Sequence, residues 1–250
     1  GDAGDGSISG QVTYDSSGSY DPIPGATVRF KRYGDTSYAG SDTTDLNGNY
    51  SVSNLVCGYY QMTVSLPTNL GGTTTYYKMF ISEDETCDVE LTVPEVSVSG
   101  YIEPYRGGYP IGIYGTLYDV EVRFQRVNSS GTKSYSSQYA SISPYGVEAE
   151  YWISLVPGYY KVYISSTCYE DYNSGKLTFS SDTTRSFDLY IDQYNSYNHY
   201  DLIFEYDSYG HWYECESCGE VFDYSSHTSS GWTYYSTSYC YKYCTVCGYI

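Results

Sequence analysis

The sequence predicts an all-β chain: two tandem seven-stranded sandwiches of immunoglobulin or transthyretin-like type, followed by a small zinc-ribbon-like module. Three observations predict it. Tyr supplies 37 of 250 residues and Gly another 25, while Leu and Ala are scarce, a composition that suits pleated strands joined by tight turns and disfavours long helices. A set of short segments recurs in the same order after roughly ninety to a hundred residues, as tandem units do. Five of the eight Cys fall in the last segment.

The repeat carries the sandwich prediction. Ile8-Ser9-Gly10-Gln11-Val12 returns as Val98-Ser99-Gly100-Tyr101-Ile102, and Val28-Arg29-Phe30-Lys31-Arg32 returns as Val122-Arg123-Phe124-Gln125-Arg126. Leu55-Val56-Cys57-Gly58-Tyr59-Tyr60 reappears as Leu155-Val156-Pro157-Gly158-Tyr159-Tyr160, and Val89-Glu90-Leu91-Thr92-Val93 as Phe187-Asp188-Leu189-Tyr190-Ile191. Within each segment apolar residues alternate with polar ones, the pattern of a strand with one buried face. The units are therefore drawn as sandwich one over 1–94, sandwich two over 95–192 and a cysteine-rich module over 193–250. Between two strands, Asp45-Leu46-Asn47-Gly48-Asn49-Tyr50 reads as a tight turn with Gly48 at positive φ. A calcium loop is the competing reading of Asp45, Asn47 and Asn49, but Tyr50 stands where such a loop needs Gly.

The order Ser-Gly-x-Val, then Pro24-Gly25-Ala26-x-Val28, Thr44-Asp45-x-x-Gly48-x-Tyr50 and Gly58-Tyr59-Tyr60 resembles the carboxypeptidase regulatory-like domain family. It is also similar to the B-type repeats of bacterial collagen adhesins. The resemblance covers about residues 7 to 192 and implies a transthyretin-like sandwich that acts as a scaffold or stalk, without catalytic residues. The second unit departs from it by carrying Ser143-Pro144-Tyr145-Gly146 in place of the Thr-Asp-x-x-Gly turn. Adhesin repeats of this kind often carry a Lys-to-Asn crosslink from the first strand; neither first strand here contains Lys, so none is expected.

Charge and residue placement narrow the function. With 12 basic and 30 acidic residues the formal net charge is -18, which repels nucleic acid and anionic membranes. No apolar run is long enough to span a bilayer. The chain opens at Gly1 without a hydrophobic leader, as the mature form of an exported protein would, and as a truncated chain would too; with no wall-sorting signal after Ile250, anchoring is expected from elsewhere or from polymerisation. His199, His211 and His227 all lie within the last segment, so neither sandwich can hold a Ser-His or Cys-His dyad of its own. The many carboxylates are read as a solvated face. The expectation is a non-enzyme, extracellular or at the cell surface.

In the last segment, Cys215-Glu216-Ser217-Cys218-Gly219 and Cys244-Thr245-Val246-Cys247-Gly248 are two knuckles of the kind that grip structural zinc. One zinc bound by Cys215, Cys218, Cys244 and Cys247 is the favoured reading, with His211, His227 and Cys240 as spare ligands; two disulfides compete with it, since exported proteins meet oxidising conditions. The His211-Trp212 to Cys247-Gly248-Tyr249 stretch also resembles a His-Trp and Cys-x-x-Cys-Gly repeat of Gram-positive surface proteins. Cys57 and Cys87 are candidates for a disulfide at one end of the first sandwich, and Cys168 and Cys240 for a link that docks the module onto the second.

The Tyr excess is more than two modest cores absorb, which predicts exposed rings. Exposed Tyr beside Ser and Gly supplies contact area at low entropic cost. A self-associating fibre or pilus-like subunit is the first functional expectation, with Tyr234, Tyr235, Tyr239, Tyr241 and Tyr243 as contacts between copies. A glycan- or host-binding adhesive module is the alternative, and compositional bias the plainest account of the excess.

Overall fold

The computed structural model describes residues 6–16, 18–106, 109–110, 117, 119–143, 149–192, 199, 202–231, 233–236 and 239–249, with backbone alone for the strands Tyr109–Pro110, Thr233–Ser236 and Tyr239–Tyr241. The fold is all-β; a 3-10 turn at Thr68–Leu70 is the sole helical element among the described residues. The Ser143-to-Gly146 turn of the second unit lies largely outside them.

In the first sandwich the strand Gly6–Ser16 is central to one sheet. It pairs antiparallel with Asn49–Leu55 and Ser19–Pro22, and parallel with Glu85–Thr86 and Val89–Glu90. The facing sheet runs Gly40–Thr43, Thr27–Arg32, Gly58–Ser65, Thr74–Ile81. Alternation decides the faces: Ile8, Val12, Val52 and Leu55 of one sheet pack with Val28, Phe30, Met62 and Val64 of the other. The second sandwich repeats the plan. Val96–Arg106 pairs antiparallel with Ala149–Leu155 and parallel with Thr183–Thr184 and Phe187–Tyr190. Glu121–Val127 lies between Ser134–Tyr139 and Gly158–Ser165 in the facing sheet. The matched residues Phe30 and Phe124, and Tyr60 and Tyr160, occupy corresponding core positions.

One device appears in both sandwiches. Gly10 sits opposite Tyr50 and Gly100 opposite Tyr151, and a Cβ on either glycine would collide with a carbonyl oxygen of the closing strand, that of Cys87 or of Arg185. The facing tyrosines donate their hydroxyls to those same carbonyls, Tyr50 to Cys87 and Tyr151 to Arg185, each at 2.6 Å. The crossing also interrupts the closing strand. Where seven strands were expected, the first sandwich therefore has sheets of five and four: its closing strand is split around Cys87 and Asp88, and Ser19–Pro22 adds a short hairpin partner.

The Asp45 turn is a plain turn. Gly48 has φ +78°, and the Asp45 carboxylate accepts the amides of Asn47 at 2.7 Å and Asn49 at 2.9 Å. The Asn49 amide bond is foremost in holding the carboxyl below its usual range.

The sandwiches dock through the Ser19–Pro22 hairpin. Buried Asp21 accepts from the Ser136 amide at 3.2 Å and hydroxyl at 2.5 Å, and Gln138 donates to Ser16 at 3.0 Å. Buried Arg126 donates to the Pro22 carbonyl at 3.3 Å, its guanidinium between the rings of Tyr14 and Tyr135.

Gly100→Ala is expected to destabilise the second sandwich by about 2–3 kcal/mol, an overpacking against backbone that cannot yield, whereas Tyr151→Phe costs about 1–2 kcal/mol for a lost hydrogen bond. Denaturant midpoints of the two variants check this order, and equal stability of Gly100→Ala and the parent would contradict the crossing.

Candidate metal centres

The terminal segment is built on the antiparallel sheet Leu202–Tyr206, Gly210–Cys215, Val221–Ser226, followed by the hairpin Thr233–Ser236 and Tyr239–Tyr241. Each knuckle closes the same way. Gly219, at φ +70°, donates its amide to the Cys215 carbonyl at 2.7 Å, and Gly248, at φ +76°, donates to Cys244 at 2.9 Å.

The four knuckle cysteines do not converge on one centre. Cys215 and Cys218 gather with Cys168 and His199, while Cys244 and Cys247 gather with His211 and His227; in each group the ligand atoms all lie within 4.8 Å of one another. Strand geometry explains the separation from the expected four-cysteine site. His211 and Cys215 stand near opposite ends of one strand, four residues or about 13 Å apart, and each collects its own cluster. The Cys244 knuckle is tied near His227 by the bridge between Ser229 and Cys244 and by the Thr245 amide on the Thr228 carbonyl at 3.0 Å.

In the first cluster all four residues are buried. Cys168 Sγ lies 3.6 Å from Cys215 Sγ, and Cys218 Sγ lies 3.4 Å from His199 Nδ1. His199 Nε2 is 2.9 Å from the Asp192 carbonyl oxygen. A carbonyl only accepts, so Nε2 carries the proton and the Nδ1 lone pair faces the thiols, the tautomer a metal requires. Arg106 donates to the Cys218 carbonyl at 2.7 Å and pairs with Glu220 at 3.2 Å. A hydrogen bond from Cys168 is the leading cause that holds the Cys218 thiol down to about 5, and the same contact pushes Cys168 up.

The second cluster follows the same plan. Cys247 Sγ lies 3.4 Å from His227 Nδ1, Cys244 Sγ lies 3.8 Å from His211 Nδ1, and His227 Nε2 donates to the Asp207 carbonyl at 2.6 Å. That bond is the leading cause raising the His227 pKa. Burial works against ionisation of Cys244, but the amides of Cys247 and Val246 and the His227 ring outweigh it and hold the thiol at about 5. The donor sets, three Cys with one His and two Cys with two His, are both tetrahedral zinc sets. With Zn–S bonds of about 2.3 Å and Zn–N of about 2.0 Å, tetrahedral edges come to about 3.8 Å between sulfurs and about 3.5 Å from sulfur to nitrogen. The separations above fit those edges.

Of the spare ligands named from sequence, His211 and His227 join the second cluster, and the Cys240 side chain lies outside the described residues. Cys168 does meet the terminal segment, through Cys215. His199 and Cys168 were missed as ligands. One signal was available: Cys215, Cys218 and Gly219 recur 29 residues on as Cys244, Cys247 and Gly248, with His199 and His227 at 16 and 17 residues before their first cysteines. The segment is thus itself a tandem repeat with one His per knuckle.

Cys57 and Cys87 are free and half-buried. Cys87 donates its amide to the Ser9 carbonyl beside Gly10, whereas Leu55, two residues before Cys57, pairs with Gly6. Four residues of strand separate those levels, about 13 Å, beyond the reach of a disulfide. Among the Tyr proposed as contacts between copies, Tyr243 is exposed; the side chains of Tyr234, Tyr235, Tyr239 and Tyr241 lie outside the described residues.

Comparison with known proteins bears on the first sandwich. Residues 7–93 match the carboxypeptidase regulatory-like domain. The first sandwich is similar to a domain of that kind. No curated protein matches the chain in sequence. Among solved structures, the Bacillus anthracis TIE protein shares 15% identity at a TM-score of 0.34, over 75% of this chain and 34% of its own. The minor pilin of Streptococcus agalactiae shares 12% at 0.30, over 74% of this chain and 96% of its own. The shaft pilin SpaA of Lactobacillus rhamnosus GG shares 7% at 0.32, over 75% and 98%. The chain thus spans about a third of the TIE protein.

Burial predicts the order of thiol labelling. In the native reduced protein a maleimide should modify Cys57 and Cys87 first, leaving Cys168, Cys215, Cys218 and Cys244 protected until unfolding. Recovery of a peptide disulfide-linked between Cys57 and Cys87 would contradict the geometry.

Proposed function

We propose that this is a non-catalytic structural protein of the cell surface or extracellular space, a self-associating fibre or pilus-like subunit whose terminal module is stiffened by zinc. The observation that carries the reading is the set of large rings the fold leaves uncovered. Tyr20, Tyr76 and Tyr139 on the sandwiches and Tyr206, Tyr209, Tyr224 and Tyr243 in the terminal segment are all exposed. Burying such a ring against a neighbour stabilises by roughly 1.5–3 kcal/mol, so several per contact offset the ordering cost of association.

Three further points support it. All three histidines of the chain belong to the two thiol clusters, where they are set up as ligands. The net charge of -18 argues against nucleic acid, and no helix among the described residues is long and apolar enough to cross a membrane. Both clusters have separations that suit zinc; closed four-ligand sites of this kind contribute folding free energy and offer no open position for substrate.

A specific patch favours a second reading, a glycan- or host-binding adhesive module. Tyr33, Tyr59 and Phe80 are exposed on the first sandwich, Tyr59 and Phe80 with ring centroids 4.9 Å apart, and Lys78 lies over Tyr33 and Tyr59. Flat rings beside polar groups are what a sugar face stacks on.

Replacing Tyr234, Tyr235, Tyr239, Tyr241 and Tyr243 with Ser is expected to leave the sandwiches folded and abolish fibres seen by negative-stain microscopy. Parent assembly should strengthen with salt, which screens the repulsion between acidic copies. If the parent sediments as a monomer at high concentration and moderate salt, the fibre reading fails and the patch around Tyr59 becomes the surface to test on glycan arrays.

A further inference from the structure

We propose that each chain holds two zinc ions with different duties, and that the ion at Cys168, His199, Cys215 and Cys218 is a clamp fastening the terminal module to the second sandwich. The proposal rests on the zinc reading above and extends it in stoichiometry, ligands and purpose.

The residues of this cluster come from the second sandwich and from the segment after it, and they sit within one buried cluster that joins the two. Cys168 belongs to the sandwich: its carbonyl accepts the Asp192 amide at 3.0 Å, its neighbour Tyr169 bridges Ile191, and the residue is 1% exposed. His199, Cys215 and Cys218 come from the segment that follows. The second cluster, by contrast, takes all four ligands from that segment. Removing the first ion would cut a tie between units, and removing the second would loosen only the module.

Cys168 is held in a conformation a Cys side chain disfavours. Its φ is +72°, in the left-handed region where Cβ crowds the following carbonyl. The residue nonetheless brings its sulfur to 3.6 Å from Cys215 Sγ, far outside disulfide length and at the edge length of a zinc tetrahedron. A strained residue whose sulfur completes a donor set is consistent with a site that constrains it. The supporting hydrogen bonds cross the same boundary. His199 is oriented by the carbonyl of Asp192, and Cys218 and Glu220 are engaged by Arg106 at the end of the sandwich strand Val96–Arg106.

The same order appears in both centres. A His and a Cys-x-x-Cys knuckle come from one unit, and the fourth ligand comes from what precedes it: Cys168 from the sandwich for the first centre, His211 from the first knuckle's strand for the second. The first ion therefore ties the module to the sandwich, and the second ties the module's two knuckles to each other.

Natively purified protein should contain two zinc ions per chain. Cys168→Ser should lose one, split a joint calorimetric transition of second sandwich and module into two, and enlarge the radius of gyration in small-angle scattering. His227→Ala combined with Cys247→Ser should lose the other ion and leave the docked dimensions unchanged. Cobalt substitution distinguishes the centres, because the first has three thiolates and the second two; Cys168→Ser should abolish the stronger thiolate-to-cobalt band. Should Cys168→Ser fail to fold by circular dichroism, stepwise chelation of the parent replaces it, with expansion expected to track loss of the three-thiolate centre. Zinc-free protein with disulfides among the knuckle cysteines overturns the zinc reading itself. Two ions retained in Cys168→Ser, or one lost without undocking, overturns the clamp and leaves structural zinc standing.

Discussion

The passage of a closing-strand carbonyl over a glycine of the opening strand is the constraint from which the rest of each sandwich follows. It needs Gly10 or Gly100, because any Cβ would occupy the carbonyl's place, and it needs a hydrogen bond for a carbonyl drawn out of the strand ladder. Tyr50 and Tyr151 supply that bond from the facing strand. With the crossing fixed, the parallel pairing of closing and opening strands has one register, and the alternating core positions follow. In the second sandwich the consequence reaches the cluster of Cys168, His199, Cys215 and Cys218. The closing strand Phe187–Tyr190 runs on to Ile191 and Asp192, which meet Tyr169 and Cys168, while the opening strand ends at Arg106 against Cys218.

The parts of this architecture legible in the sequence were those encoded locally. Period-two alternation, the recurring Ser-Gly and the Gly-Tyr-Tyr segments marked the sandwiches, and Cys-x-x-Cys-Gly marked the knuckles. The extra strand segments were not legible, since the split at Cys87 depends on what the carbonyl passes over and on where Tyr50 stands. The grouping of the cysteines was hidden for a similar reason. Two knuckles in one short segment read as one site until the strand Gly210–Cys215 sets His211 and Cys215 at opposite ends. Cys168 stood out in the sequence only as a disulfide candidate with Cys240, and nothing marked it as a partner of the Cys215 knuckle, to which a turn of the second sandwich brings it.

The Tyr excess has more than one physical source. Tyr14, Tyr50, Tyr60, Tyr151, Tyr160 and Tyr169 are buried; of these, Tyr60 and Tyr160 donate at 2.7 Å to the carbonyls of Val56 and Val156, each four residues back. Tyr thereby fills a core and satisfies turn carbonyls at once. Cations use Tyr as well: among the described residues Arg29, Lys78, Arg123, Arg126, Lys133 and Lys176 lie over Tyr rings. Other rings, among them Tyr20, Tyr76, Tyr209 and Tyr224, stand exposed on an acidic surface.

The terminal segment meets the harder folding problem. Among the described residues its buried side chains are chiefly the cluster residues themselves, His199, His211, Cys215, Cys218 and Cys244, with Phe222 as the large apolar addition; Cys215, Cys218 and Phe222 join the core of the second sandwich. So small an apolar interior cannot offset the ordering of several strands. Thiol and imidazole clusters without an ion add polar burial to that cost, and neighbouring thiols cannot all ionise together. An ion at each cluster would reverse the sign, turning mutually repelling donors into bonds that close the knuckles. Because the first cluster takes Cys168 from the second sandwich and shares its core, the segment leans on a larger neighbour, and the second cluster takes His211 from the far end of the strand that carries Cys215.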